Sequence, residues 1–128
     1  MKSKNIALGI CLLLVLLACA RQTPRPRIPD YPNQTNLTTT ITPGAGYEGE
    51  TISFLTTDAE PDIREYYATH LPETGWSESG YNWENGLAND GLHYGYVHGC
   101  PVYYLAIQIV PTPSHTAVAV LLRTYPCT

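Results

Sequence analysis

Two apolar runs near the C-terminus, Val102 to Val110 and Thr116 to Tyr125, leave this chain few ways to fold. Both alternate, both carry β-branched residues, and only a short Pro-Thr-Pro-Ser-His stretch separates them. That pattern is an antiparallel hairpin. A turn over Thr112 to His115 sets a register in which Leu105 faces Leu122, Ile107 faces Val120 and Ile109 faces Val118. One continuous apolar face results, while Tyr104 meets Arg123 and Gln108 meets Ala119 on the other face. The same register brings Cys100 opposite Cys127.

An apolar sheet face needs a cover, and Ile63, Tyr66, Tyr67, His70 and Leu71 supply one at helical spacing. The helix starts near Ala59, with Glu60 and Asp62 at its positive N-terminal end, and Pro72 and Gly75 stop it. Thr57 and Asp58 end the preceding strand and stand where a cap would be. Further strands are expected over Thr51 to Thr56, after the Pro43-Gly44-Ala45-Gly46 turn, over Trp76 to Trp83 and over Gly91 to His98. The expected fold is therefore α+β, one amphipathic helix packed on an antiparallel sheet in the order β-α-β-β-β-β. With 128 residues, 44% hydrophobic and 14% charged, there is room for one domain, and eleven prolines and ten glycines exclude a helical bundle. A net charge of −4 argues against a nucleic-acid partner, which needs a basic surface to replace phosphate counterions.

The N-terminus reads as an address. Lys2 and Lys4 precede an uncharged apolar run from Ile6 to Ala18, too short to span a bilayer, which needs about 20 apolar residues. The run closes with Leu16-Leu17-Ala18-Cys19, which resembles the lipobox of bacterial lipoproteins. That resemblance implies a signal peptide over residues 1–18, diacylglyceryl attachment to Cys19, and a place on the extracytoplasmic face of a bacterial envelope membrane. Ala20 after the cysteine favours the outer membrane if the host has one. Ala18-Cys19-Ala20 also fits ordinary signal peptidase, which would cut after Ala20 and release a soluble protein. In the lipidated form Cys11 leaves with the leader and Cys19 is blocked, so Cys100 and Cys127 remain to form a disulfide closing the hairpin.

Residues 19–40 carry four prolines and little that builds a core, and are expected to be a tether of up to roughly 60 Å in polyproline conformation. Arg21, Arg25 and Arg27 stand where anionic head groups would attract them, or serve as solubilising charges. The folded domain is expected over residues 41–128. Beyond residue 40 only Arg64 and Arg123 are basic, against ten acidic residues from Glu48 to Asp90.

Pro43-Gly44-Ala45, Thr57-Asp58, Tyr66-Tyr67 and Leu71-Pro72-Glu73-Thr74-Gly75-Trp76 together resemble a pattern of small exported or lipid-anchored bacterial proteins of uncharacterised activity. The resemblance covers about residues 41–83 and implies one helix against an antiparallel sheet. It departs in Pro61, a residue late relative to Asp58, and in the added cysteine pair.

No nucleophile elbow, zinc helix, phosphate loop or dinucleotide fingerprint occurs. His93 and His98 lie an odd number of residues apart and would point to opposite faces of a strand, so no metal or cofactor is expected. Tyr81, Trp83, Tyr94 and Tyr96, set among Gly, Asn and Asp, form the candidate binding surface for a protein or glycan, or else cover the core. The expected role is a lipid-anchored, non-enzymatic binding module of the envelope. The alternatives are a small envelope-polymer hydrolase using carboxylates between Glu48 and Asp90, and a purely structural component.

Overall fold

The computed structural model describes residues 23–79 and 92–128. One antiparallel sheet contains β1 (Thr35–Pro43), β2 (Glu48–Thr56), β3 (Ser77–Glu78), β4 (Leu92–Tyr96), β5 (Val102–Pro111) and β6 (Thr116–Tyr125), in the spatial order β1-β2-β6-β5-β4-β3. A single helix, α1 (Glu60–Glu73), follows β2. The architecture is thus α+β and mostly sheet, with six strands where five were expected. The hairpin register is the one read from the sequence: Leu105, Ile107 and Ile109 pair with Leu122, Val120 and Val118, and Tyr104 with Arg123. Cys100 and Cys127 are disulfide-bonded, their Cα atoms 5.4 Å apart.

The additional strand is β1, which lies mostly inside the expected tether. Five of its nine residues are threonine and all nine are exposed, so no alternation of buried and open positions marks it. β-branched side chains nonetheless favour extended backbone. Residues 44–47 form the turn into β2, with the Gly44 N–H donating to the Tyr47 carbonyl.

Helix α1 buries Ile63, Tyr67 and Leu71 at successive turns of one face. Its end differs from the sequence reading, because Pro72 stands inside the last turn rather than stopping it. The stop is made by Gly75, whose φ of +95° only glycine adopts without strain. The Gly75 N–H donates to the Pro72 carbonyl and the Trp76 N–H to the Leu71 carbonyl, and Leu71 and Trp76 are both buried. These are the two hydrogen bonds and the apolar contact of a Schellman motif. At the other end Ala59 is the N-cap and makes no side-chain capping bond. Asp58, expected to cap, is engaged elsewhere.

The core lies between α1 and the sheet face carrying Phe54, Tyr94, Leu105, Ile107, Val118, Val120 and Leu122. It also contains Tyr31, only 4% exposed, from the segment expected to be a spacer. Residues 23–31 run across this same inner face. The Thr23 N–H bonds the Cys100 carbonyl, Pro26 is buried, Arg25 pairs with Glu50 at 2.9 Å, and Tyr31 stacks on Phe54 at 5.5 Å. The tether reading is therefore corrected for the described part of residues 19–40. Proline suits a spacer and a docked extended segment alike, and here Pro24, Pro26 and Pro29 bring to the apolar surface no N–H that it would leave unpaired.

Reduction of the disulfide releases a loop with a sequence separation of 27 residues. In the chain-entropy model this costs about 3 kcal/mol. Urea unfolding with and without reductant measures it, and the paired Cys100→Ser, Cys127→Ser variant should match the reduced protein.

Candidate functional site

Tyr94 and Tyr96 share one face of β4, as their spacing implies, but it is the inner face. Tyr94 is 4% exposed, and burial, followed by the nearby Glu78 charge, raises its phenol above the ordinary value. The Tyr96 ring meets Trp76, Tyr103 and His98 edge-on at 6.1, 6.2 and 4.7 Å. Tyr94 belongs to the core and the partly buried Tyr96 packs against it, the alternative that the sequence left open for these two tyrosines. Tyr81 and Trp83, and Cys19 in the leader region, lie outside the described residues.

The opposite face of the sheet, buried at Ala106 and half-exposed over much of the rest, carries a different set. Strand pairing aligns Thr42, Gly49, Arg123, Tyr104, Gly95 and Ser77 in one row across all six strands. The Tyr104 ring lies in van der Waals contact over Gly95, where a Cβ would stand 3.5 Å from it. Tyr104 meets Tyr125 at 5.8 Å, Tyr125 meets Tyr47 at 5.6 Å, and the Arg123 guanidinium sits 4.3 Å above the Tyr47 ring. All four side chains are partly exposed. Farther along the face, Ser53, Leu55, Gln108, Val110, Ala117 and Ala119 line a shallow depression of about 280 Å³. Beside Tyr104, Ser77, Glu78, Val97 and His98 line another of about 330 Å³.

Arg123 is the one formally charged side chain among the strand positions of this face in the described residues. A charge-poor patch with tyrosine and arginine is the composition of an interaction surface rather than of ordinary solvated sheet. The Tyr104–Arg123 pair follows from the hairpin register alone. Tyr47 comes from a turn, and no spacing rule reveals it.

Three of the described carboxylates considered for hydrolysis are held in ion pairs. Glu50 pairs with Arg25, Glu60 takes two bonds from Arg64, and Glu73 meets His70 at 2.9 Å. Asp90 lies outside the described residues. Among the described residues no group of three or more His, Cys, Asp or Glu is placed to hold a metal ion. His93 is on the face of β4 away from α1, beside Ala106, and both of its ring nitrogens are enclosed without a partner among the described residues. His98 is exposed against Tyr96.

Asp58 fixes the N-terminal arm. Its carboxylate accepts hydrogen bonds from the Tyr31 hydroxyl and, at 3.1 Å, from the Asn33 side-chain amide. These bonds, Tyr31 first, hold the Asp58 carboxyl below its ordinary range. Burial and the bond to Asp58 push the Tyr31 phenol far above its own. A depressed carboxyl contributes stability above its unfolded value of about 3.9 and loses it as pH falls through the folded value. A raised phenol contributes stability below about pH 10, which is lost as pH rises beyond that.

Compared with protein-family models, curated proteins and solved structures, the chain matches none.

Tyr31→Ala should cost about 3 kcal/mol, since it empties a buried aromatic site. Tyr31→Phe keeps the ring and should lose much less, but it removes the phenol from the alkaline limb of the stability profile. Denaturant midpoints from pH 3 to pH 11 for the parent and Tyr31→Phe measure both limbs, and equal slopes above pH 10 would remove Tyr31 from that limb.

Proposed function

We propose that this chain is a bacterial envelope protein, held on the extracytoplasmic face of a membrane by a lipid on Cys19, whose domain is a non-enzymatic binding or interaction module. The observation that carries the binding role is the partly exposed Tyr104, Tyr125, Tyr47 and Arg123 strip on the sheet face away from α1. The anchor is supported by the Leu16-Leu17-Ala18-Cys19 motif and by the short apolar leader before it. No helix among the described residues is long and apolar enough to cross a membrane. The partner is a protein or glycan of the envelope, and its recognition needs no cofactor.

Docking of the arm changes the geometry of anchoring. Only three residues, four Cα-to-Cα steps, lie between Cys19 and Thr23, where the chain already lies on the domain. A fully extended chain covers at most about 14 Å in that length. The domain therefore rides close to the bilayer surface, and the partner must be within reach of that surface.

Expression of the full chain in a bacterium tests the anchor. Intact mass of the membrane-extracted protein should show a start at Cys19 carrying acyl chains, and Cys19→Ser should move the protein out of the membrane fraction. A cut after Ala20 without lipid would refute the anchor. Crosslinking in native membranes followed by mass spectrometry tests the face: Tyr104→Ala with Arg123→Ala should abolish adducts that the parent forms while leaving Tm within a few degrees. Unchanged adducts would place the binding role elsewhere.

A further inference from the structure

The N-terminal arm is held as a ligand is held. Residues 23–31 form no strand, and among the described residues their one backbone–backbone bond to the rest of the domain joins the Thr23 N–H to the Cys100 carbonyl. Elsewhere the arm is gripped by side chains from distant parts of the chain. Trp76 Nε1 donates to the Arg27 carbonyl at 3.0 Å, the Tyr66 hydroxyl to the Asp30 carbonyl, and the Tyr103 hydroxyl to the Thr23 carbonyl at 3.3 Å. Two carboxylates bracket the segment: Glu50 pairs with Arg25 at 2.9 Å, and Asp58 accepts from the Tyr31 hydroxyl. Pro26 and Tyr31 are buried.

These are the parts of a groove that reads a proline-rich segment. Such a segment is extended before it binds, carries few N–H groups to satisfy, and docks on aromatic side chains, here ones with a donor at the tip. The Arg27 and Asp30 carbonyls are three residues apart, one turn of a polyproline helix. The three donors lie outside the arm, and they bond main-chain oxygens that any segment of this conformation offers. The arm also leaves part of the groove open. A depression of about 250 Å³ remains between it and α1, with Arg27, Asp30, Tyr66, His70 and Glu73 on its walls.

We infer that the groove formed by α1, Trp76 and the inner face of the sheet is a recognition site for a proline-rich, basic segment of a partner protein, and that the arm is its resident occupant, which such a segment displaces. Glu50 selects a basic residue, the site of Pro26 takes a proline directly after it, and Asp58 selects a hydroxyl six positions beyond the basic residue. The arm is an imperfect occupant at Asp30, whose carboxylate enters a depression already lined by that of Glu73. A basic residue at that position meets an opposite charge instead. Because the arm is part of the same chain, it competes at an effective concentration on the order of millimolar, and a partner's segment enters by fitting better than the arm does. The site is separate from the Tyr104–Arg123 strip and is the same whether or not Cys19 is lipidated.

The probe is a fluorescent peptide with the sequence of residues 21–33, compared with one in which every proline is alanine. It is titrated onto the full chain in non-ionic detergent. Arg25→Ala with Pro26→Ala loosens the arm while Tyr31 keeps its place in the core, and this variant should bind the peptide at least about tenfold more tightly than the parent. Adding Tyr66→Phe removes one carbonyl donor and should weaken binding about fivefold, whereas Asp30→Arg in the peptide should strengthen it. The parent supplies a second measurement that needs no change to its fold: excess peptide should raise deuterium uptake in residues 23–31 of the chain. Equal binding of the proline-free peptide, or binding indifferent to Tyr66→Phe, would overturn the proposal. So would unchanged uptake in the arm of the parent at millimolar peptide, or sedimentation showing that the parent's arms are exchanged between two copies and do not yield to the peptide.

Discussion

A six-stranded sheet is roughly 24 Å across at the usual strand spacing, and one helix with its side chains covers about 10 Å. The apolar face of this sheet cannot be closed by α1 alone. The N-terminal arm closes the rest, and it does so by an exchange of hydrogen bonds that explains the chain's odd composition. Pro24, Pro26 and Pro29 have no N–H to satisfy, so mainly carbonyls of the arm need partners. Aromatic side chains of the core supply them: Tyr103 donates to the Thr23 carbonyl, Trp76 Nε1 to the Arg27 carbonyl, and Tyr66 to the Asp30 carbonyl. Tyrosine and tryptophan suit this work because each buries a ring and still reaches a polar atom at its tip.

The rest of the inner layer follows from that exchange. Tyr31 enters between Phe54, Tyr66 and Tyr67, with ring centroids 5.0 to 6.2 Å away, and its hydroxyl reaches Asp58 at the β2–α1 junction. Asp58 cannot serve both the arm and the helix end, and it serves the arm. The N-terminus of α1 is left with Glu60 and Asp62 in its first turn and with Pro61, which has no N–H to leave unpaired. Thr116 on β6 donates to the Asp58 carbonyl, so sheet, helix start and arm meet at one residue.

What the sequence made legible is what periodicity records. The hairpin register was readable pair by pair because one face is buried and a one-residue slip would turn Leu105, Ile107 and Ile109 outward. Helix α1 was readable for the same reason, and the disulfide followed from the register. β1 was not, since a strand exposed on both faces has no pattern to show. The docking of the arm is not legible, because four prolines in twelve residues describe a solvated spacer and a docked extended segment equally well, and the difference lies in donors that are distant in sequence. Tyr94 and Tyr96 were correctly placed on one face, but which face of β4 is inward depends on its pairing with β5, where Tyr94 meets Leu105. The Tyr47, Tyr104 and Tyr125 strip combines a turn and two strands, and only Tyr104 had a readable partner.

Closing the core with the arm couples stability to presentation. A free tether would let the domain turn in any direction and reach partners far from its anchor. In the docked arm Thr23, the first described residue, lies beside Cys100 and the disulfide, at the end of the hairpin that also carries Arg123 and Tyr125. Any attachment upstream of Thr23 therefore pulls on that end of the sheet, with the Tyr104–Arg123 row close by and the Thr112–His115 turn at the far end. The same contacts that keep water from the core thus decide which part of the face away from α1 stands nearest the point of attachment. A variant that frees the arm loses both at once, because the Tyr31–Asp58 bond and the carbonyl contacts of Thr23, Arg27 and Asp30 act in series along one segment.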